Sequence, residues 1–259
     1  MPVKLFAKTS GAGKPVILIH GLFGAGDNLG VVARALASDY CVHLLDLRNH
    51  GASPHVDTMD YPSMASDVLA YMDDSSLEKA ALLGHSMGGK VAMQLALDAP
   101  ERVTGLIVAD IAPVEYPAWH TAVFKGMFAV AEHEIHQRKE ADRILAEHVT
   151  EPGVRQFLLR NLVRAPEGRY VWRVNLTGIH DSYHKIRLAP MGQVPYAEPV
   201  LFVKGERSDY IDSTHQETVL SLFPASQLKV VGGAGHWLHA EKPELFNRIV
   251  SRFLSGLND

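Results

Sequence analysis

A serine between two glycines is the clearest candidate for chemistry in this chain of 259 residues. In the stretch AALLGHSMGGKVAMQLAL, Ser86 lies between Gly84 and Gly88, after an apolar run and before a run with helical periodicity. A Gly-x-Ser-x-Gly turn between a strand and a helix is typical of a nucleophile elbow, whose strained backbone presents the serine hydroxyl. The pattern predicts a serine nucleophile, and an ordinary Gly-rich connection is the alternative.

A serine hydroxyl becomes a strong nucleophile only beside a general base, which is itself oriented by an acid. His236 follows the glycines of VVGGAGHWLHAEKP and completes the chain order nucleophile, acid, histidine, so we assign the base to it; His239 is the second candidate. Asp110 in LIVADIAP and Asp209 in KGERSDY are both candidates for the acid. Asp110 is preferred, because Asp209 comes one residue late after its strand and a shift of one residue redirects a side chain.

Backbone amides can stabilise the negative charge that develops on an attacked carbonyl group. The amide of Met87 opens the helix after the nucleophile, and the amide of Leu22 follows the first apolar run in HGLFGAGDN. These two amides are the predicted oxyanion hole, with the amide of Phe23 as the second choice in the loop. The alternative for HGLFGAGDN is a Gly-rich loop capped by Asp27 or Asn28.

These residues need elements that bring them to one place. Six short apolar runs alternate with helical patterns, which indicates a parallel sheet covered by helices on both sides. In such a sheet the functional residues gather at the carboxyl ends of the strands. The predicted strands lie in residues 14–21, 40–48, 80–86, 103–112, 198–206 and 226–235.

One segment interrupts the alternation of strands and helices. From about residue 113 to residue 195 no strand pattern appears, and several amphipathic stretches take its place. We therefore expect a core domain of residues 1–112 and 196–259, with a helical lid of residues 113–195 inserted into it.

Two features of the predicted lid could contact a substrate. An apolar stripe at helical spacing includes Trp119 and Phe124, and it either packs the lid on the body or, together with Phe23, binds substrate. A basic tract is either a solvated helix face or a site that attracts the phosphates of a coenzyme A thioester through Arg160 and Arg164. The tract consists of Arg155, Arg160, Arg164, Arg169 and Arg173.

Composition limits the partners of the protein. A net charge of −4 gives no general attraction to nucleic acid or anionic membrane, and no apolar run is long enough to span a bilayer. The 14 histidines show no His-Glu-x-x-His pattern, and Cys41 is the single cysteine, so we expect no metal, no cofactor and no internal disulfide. Without a signal-peptide pattern, we expect a cytoplasmic protein with a small-molecule substrate, and the oligomeric state is left open.

Five stretches resemble the α/β-hydrolase superfamily and, within it, the bacterial YbfF-type esterases: HGLFGAGDNLG, DLRNHGASPH, GHSMGGKVAM, VADIAPVEY and GAGHWLHAEKPE. The resemblance implies an α/β-hydrolase fold, with a mostly parallel central sheet flanked by helices and a helical lid inserted after the sixth strand. It also implies hydrolysis of small esters and of acyl thioesters such as acyl-CoA, with the acid at Asp110. In DLRNHG we expect a structural turn network formed by Asp46, Arg48, Asn49 and His50.

The predicted function is hydrolysis of carboxylic esters or acyl thioesters, with short to medium acyl chains, through an acyl-enzyme. A cofactor-free perhydrolase or a carbon–carbon bond hydrolase would use a similar triad, and a non-catalytic binding protein could keep the same fold. Dehalogenases and epoxide hydrolases of similar outline need an aspartate nucleophile, which the serine at position 86 argues against.

Overall fold

The central sheet of the protein has seven strands, as seen in a computed structural model that describes residues 1–257. The strands are β1 (Ala7–Ser10), β2 (Lys14–Ile19), β3 (Tyr40–Leu45), β4 (Ala80–His85), β5 (Val103–Ala109), β8 (Val200–Gly205) and β9 (Ser226–Val231). Their spatial order is β1-β3-β2-β4-β5-β8-β9, and every neighbouring pair is parallel except the antiparallel pair of β1 and β3. The prediction of a mostly parallel sheet is confirmed.

Helices cover both faces of this sheet. Within residues 1–257 they are α1 (Gly30–Leu36), α2 (Tyr61–Asp74), α3 (Met87–Asp98), α4 (Thr121–Ala131), α5 (Arg138–Ala146), α6 (Pro152–Leu159), α7 (Leu176–Asp181), α8 (Tyr183–Ile186), α9 (Gln216–Leu222), α10 (Leu238–Glu241) and α11 (Pro243–Leu254). Apolar residues of α2 and α3 pack against one face, and those of α1, α10 and α11 pack against the other. No helix of the described chain is both long and apolar enough to cross a membrane.

The sheet has one hydrophobic core on each face, and alternate residues of a strand point into opposite cores. In β2, Val16 and Leu18 belong to the core under α1 and α11, while Ile17 and Ile19 belong to the core under α2 and α3. All four side chains are fully buried. Because successive strand residues point to opposite faces, a strand covered on both sides must be apolar throughout, as this one is.

An insertion of residues 113–195 separates β5 from β8. It contains helices α4 to α8 and a hairpin of two short antiparallel strands, β6 (Leu162–Arg164) and β7 (Tyr170–Trp172). The expectation of no strand here was wrong, because three-residue strands are too short to show an alternating pattern. The insertion was expected after the sixth strand, and this was also wrong. Five strands precede it, and they include the edge strand β1 before β2.

The domain division was predicted as residues 1–112 and 196–259 around the insertion. Every strand of the central sheet lies in 1–112 or after residue 196. The last two residues of the predicted range lie outside the described residues. The division itself stays a prediction.

The turn between β4 and α3 is built on close backbone contact. Ser86 has φ 53° and ψ −123°, a conformation that non-glycine residues rarely adopt. A Cβ atom on Gly84 would lie 2.1 Å from the carbonyl oxygen of Gly88, and one on Gly88 would lie 2.3 Å from that of Ile19. Both glycines are therefore required by the packing of backbone on backbone.

We predict that Gly84→Ala destabilises the fold by about 3 kcal/mol or more, because the new methyl group overlaps backbone atoms that cannot move aside. Urea unfolding followed by circular dichroism would measure this change. Gly153→Ala is the matched control: a Cβ there meets nothing within 4 Å, so the free energy of unfolding should stay the same or rise by up to about 1 kcal/mol. An unchanged stability of Gly84→Ala would contradict the described turn.

Candidate active site

A buried carboxylate at the end of β5 is hydrogen-bonded to a histidine from the loop after β9. Asp110 is fully buried, and the ring N–H at Nδ1 of His236 donates to its Oδ2 at 2.7 Å. The same oxygen accepts from the hydroxyl of Ser208, and Oδ1 accepts from the backbone amide of Gly205 at 2.8 Å. Because an ionised carboxylate only accepts, Nδ1 carries the proton, and Nε2 of His236 is left able to accept one.

Asp209, the alternative acid, is exposed and lies outside this arrangement. Its neighbour Ser208 takes the inward position and bonds the carboxylate of Asp110. Asp110 itself has φ 56°, which turns its side chain from the end of β5 toward His236. The structure therefore brings Asp110, and not Asp209, to the histidine.

Ser86 stands at the end of β4, beside the end of β5. Its backbone amide donates to the carbonyl of Ala109 at 2.9 Å, which fixes it one residue away from Asp110. Ser86 and His236 line the same cavity, whose volume is about 590 Å³. Their side chains are not hydrogen-bonded to each other among the described residues; in unliganded enzymes such bonds are often long and tighten only when substrate binds.

Two residues that the sequence interpretation missed hold His236 in place. The ring of Tyr210 stacks on its imidazole, with 4.0 Å between centroids and 21° between planes. The Nε2 atom of His85 donates to the backbone carbonyl of His236 at 2.9 Å. A signal for His85 was present, because it directly precedes Ser86 at the carboxyl end of a strand, where functional residues gather.

The second candidate base, His239, is almost fully buried and lines the same cavity as Ser86. Its ring lies 4.5 Å from that of His85 and 6.2 Å from that of Phe246, and its Nδ1 atom has no hydrogen-bond partner in the described chain. Burial lowers the pKa of His239 to about 4. The hydrogen bond from Nδ1 to a carboxylate belongs to His236.

Neither of the two predicted oxyanion amides has a hydrogen-bond acceptor among the described residues. Met87 is the first residue of α3, so its amide has no acceptor within the helix. The loop after β2 offered Leu22 or Phe23 as the second donor. Phe23 is excluded, because its amide donates to Nε2 of His50 at 3.1 Å, whereas the amide of Leu22 donates to no group of the described residues.

Two neutral histidines support this loop. His20 accepts from the amide of Leu47 at 3.0 Å through Nε2 and donates to the carbonyl of Gly21 through Nδ1. His50 likewise donates from Nδ1 to the carbonyl of Arg48 at 2.9 Å. Burial is the main cause that lowers the pKa of His20 to about 4 and that of His50 to about 3. Both rings therefore stay neutral and keep one nitrogen as an acceptor for a backbone amide.

The rest of DLRNHG also forms a structural network. Asp46 accepts from the amide of Gly26 at 2.7 Å and from that of Ala52 at 2.8 Å. Arg48 and Asp67 form a buried ion pair at 2.6 Å between Nε and Oδ2. These bonds connect the loop after β3 to the loop after β2 and to α2.

The three candidate substrate-binding residues are placed differently. Phe23 and the half-exposed Trp119 line the cavity that contains Ser86. Phe124 does not line it: its ring packs against that of Phe23 at 5.3 Å and faces a separate depression in the insertion. The predicted apolar stripe therefore has two roles. Trp119 lines the cavity, whereas Phe124 packs against the cavity-lining ring of Phe23.

Comparisons with known proteins agree with this geometry. A family described as alpha/beta hydrolase fold matches residues 14–141. Esterase YbfF of Escherichia coli (strain K12) is 40% identical over 243 residues, which cover 93% of each chain. The sn-1-specific diacylglycerol lipase ABHD11 of Mus musculus is 39% identical over 248 residues, which cover 93% of this chain and 80% of the lipase.

The chain belongs to the α/β-hydrolase family. A solved structure described as a marine microorganism esterase superposes with a TM-score of 0.91 and 38% identity, covering 97% of this chain and 99% of the other. The family resemblance drawn from the sequence is confirmed, and so is the prediction that this α/β hydrolase is an enzyme of the carboxylesterase type.

The depressed pKa of His50 predicts an acid-sensitive fold. Between about pH 3, its folded value, and pH 6.5, its unfolded value, the unfolded chain binds more protons. The free energy of unfolding that His50 supplies above pH 6.5 is therefore lost as the pH falls through this window, at up to about 1.4 kcal/mol per pH unit.

Urea unfolding of the His50→Gln protein at pH 6 and pH 5 tests this. The loss of stability between the two pH values should be about 1 kcal/mol smaller than in the unaltered protein, because one titrating group is gone. The same change at the exposed His133 is the control and should leave the difference as it is. Equal pH dependence in both variants would show that His50 does not stay neutral in the folded state.

Proposed function

We propose that this α/β hydrolase cleaves carboxylic esters of short to medium acyl chains through an acyl-enzyme formed on Ser86. The observation that carries the proposal is the hydrogen bond from His236 to the buried carboxylate of Asp110, with His236 lining the same cavity as the strained Ser86. A nucleophile, an oriented base and a buried acid are the three parts that serine hydrolysis requires.

In the first half of the reaction the hydroxyl of Ser86 attacks the carbonyl carbon of the ester. His236 takes the hydroxyl proton on Nε2, and Asp110 stabilises the imidazolium that forms. The amides of Leu22 and Met87 donate to the tetrahedral oxyanion, each contributing on the order of 3 kcal/mol. His236 then gives its proton to the leaving oxygen, and the alcohol departs.

In the second half, water replaces the alcohol. His236 takes a proton from the water as it attacks the acyl-enzyme, and the same two amides hold the second oxyanion. Collapse of this intermediate returns the proton to Ser86 and releases the carboxylic acid. These steps use side chains and backbone amides of this chain together with water.

We assign the insertion of residues 113–195 the role of a lid. Trp119, His120, Val123 and Arg160 come from the insertion and line the cavity around Ser86. A segment that walls the cavity excludes water and sets its shape, so variation in it would change the substrate without changing the chemistry.

Acyl thioesters such as acyl-CoA are a further proposed substrate class. Arg160 is exposed at the wall of the cavity and forms no ion pair within residues 1–257, so its guanidinium can meet a phosphate group. Arg164 is directed elsewhere: its Nε donates to the carbonyl of Gly168 in the hairpin turn. Arg155 is paired with Asp142 at 2.8 Å. Of the basic tract, Arg160 is thus the residue best placed for a charged leaving group.

We predict that Asp110→Asn lowers kcat for a nitrophenyl ester about 10³-fold to 10⁴-fold, because the amide no longer fixes the tautomer of His236 or stabilises its charge. Asp209→Asn is the matched control, since Asp209 is exposed, and its kcat should be unchanged. Ser86→Ala serves as the blank. A larger loss in Asp209→Asn would reassign the acid. A failure of fluorophosphonate to label Ser86 in the folded protein would favour a binding protein over an enzyme.

We predict that Arg160→Gln raises KM for acyl-CoA about threefold to fivefold, the range expected of an exposed charge pair. KM for a small neutral ester should stay the same. Arg164→Gln carries the same loss of charge at a position outside the cavity, and it should leave both values unchanged. Equal effects of Arg160→Gln on the two substrates would remove the phosphate contact from the proposal.

A further inference from the structure

Two cavities of very different size meet at Ser86. The large cavity has a volume of about 590 Å³, and the small one has a volume of about 40 Å³. Five residues line both: Leu22, Ser86, Trp119, His120 and Tyr210. A carbonyl carbon attacked by Ser86 would therefore lie at the junction, with one half of the substrate directed into each cavity.

The catalytic groups decide which half enters which cavity. His236, which must protonate the leaving atom, lines the large cavity and not the small one. Met87, whose amide would hold the oxyanion, lines the small cavity and not the large one. A leaving group within reach of His236 thus occupies the large cavity, and the acyl chain on the other side of the carbonyl carbon is left with the small cavity.

The volume of the small cavity limits the acyl chain. A water-sized atom needs about 10 to 15 Å³ of such space, so 40 Å³ has room for about three. We propose that the natural substrate is a short-chain acyl ester or thioester, with about one to three carbons beyond the carbonyl, joined to a bulky alcohol or thiol. This inference rests on the proposed function, since it assumes attack by Ser86.

Hydrogen bonds hold the far wall of the small cavity in place. The hydroxyl of Tyr61 donates to the carbonyl of Ile186 at 2.5 Å. The amine of Lys90, which is 1% exposed, donates to the carbonyls of Arg187 at 3.1 Å and Leu188 at 2.6 Å. These bonds fasten three successive residues to α2 and α3, and two of them, Ile186 and Arg187, line the small cavity. The bonds therefore oppose a movement of the wall that would admit a longer chain.

A third hydrogen bond of Lys90 holds the start of the insertion. Its amine also donates to the carbonyl of Val114 at 2.6 Å, and it lies 4.6 Å from the ring centroid of Tyr116. When the amine is protonated, its three N–H groups are all used by the backbone at the two ends of the insertion. The side chain of Ile186 is buried and lines the small cavity, so its truncation would enlarge that cavity.

The test is an acyl series on one alcohol, from nitrophenyl acetate to nitrophenyl hexanoate, with kcat/KM measured for each ester. In the unaltered protein kcat/KM should fall at least about tenfold for each methylene beyond the third chain carbon. Ile186→Ala should raise the ratio of hexanoate to acetate at least about tenfold, because it removes the side chain that closes the cavity. Ile179→Ala, which deletes an equally buried isoleucine of the insertion outside both cavities, should leave the ratio unchanged.

Two outcomes would overturn the inference, and they can be told apart. If Ser86 is labelled by a fluorophosphonate and the esters are hydrolysed, but kcat/KM is flat or rises toward hexanoate, ester hydrolysis stands and the short acyl chain is wrong. If Ser86 is not labelled and no ester is cleaved, the proposed function itself fails. The series on the unaltered protein decides between these even where Ile186→Ala does not fold.

Discussion

Contact between backbone atoms at the turn after β4 is the constraint on which the rest of the site depends. Gly84 lets the end of β4 approach the start of α3, and Gly88 lets the start of α3 lie against the end of β2, so close that a methyl group at either position would overlap a carbonyl oxygen. This approach leaves Ser86 in a left-handed conformation with its side chain at the rim of the sheet. It also sets the amide of Met87 beside the loop that carries Leu22. Ser86 and the amides proposed as oxyanion donors are therefore placed by the same backbone packing.

Burial determines which histidines around the candidate site stay neutral. Burial lowers the pKa of five histidines around the site: His20, His50, His85, His120 and His239. As neutral rings they serve as hydrogen-bonding groups and add no positive charge to the surroundings of His236. In the proposed reaction, the charge that forms on His236 would be stabilised by the carboxylate of Asp110, to which its Nδ1 atom is hydrogen-bonded.

Much of this arrangement could be predicted from sequence because it follows from local patterns. Apolar runs predicted strands of the sheet. His236 was predicted from the order of the catalytic residues along the chain and from its position after the last strand. The choice of Asp110 over Asp209 depended on a single residue of offset, which the inward position of Ser208 explains. Such features belong to individual strands and turns, so periodicity and spacing report them directly.

The features that sequence could not give are contacts between distant segments. That Phe124 lies behind Phe23, or that Tyr210 stacks on His236, depends on how separate loops pack. That the amide of Phe23 already has an acceptor, while the amide of Leu22 has none among the described residues, depends on His50, 27 residues farther along than Phe23. The hairpin of β6 and β7 was missed because each strand has only three residues. The contacts between distant segments are set by tertiary packing, and they produce no periodic pattern in the sequence.

Lys90 shows how such a distant contact can govern the site. A lysine on the buried face of α3 conflicts with the apolar pattern of that helix, and burial lowers its pKa to about 7. Its amine is nonetheless saturated by carbonyls from the two ends of the insertion. Because α3 begins directly after Ser86, one side chain four residues beyond the nucleophile fixes where the insertion enters and leaves the core. The wall of the small cavity that we assign to the acyl chain is therefore positioned by the same helix that positions the serine.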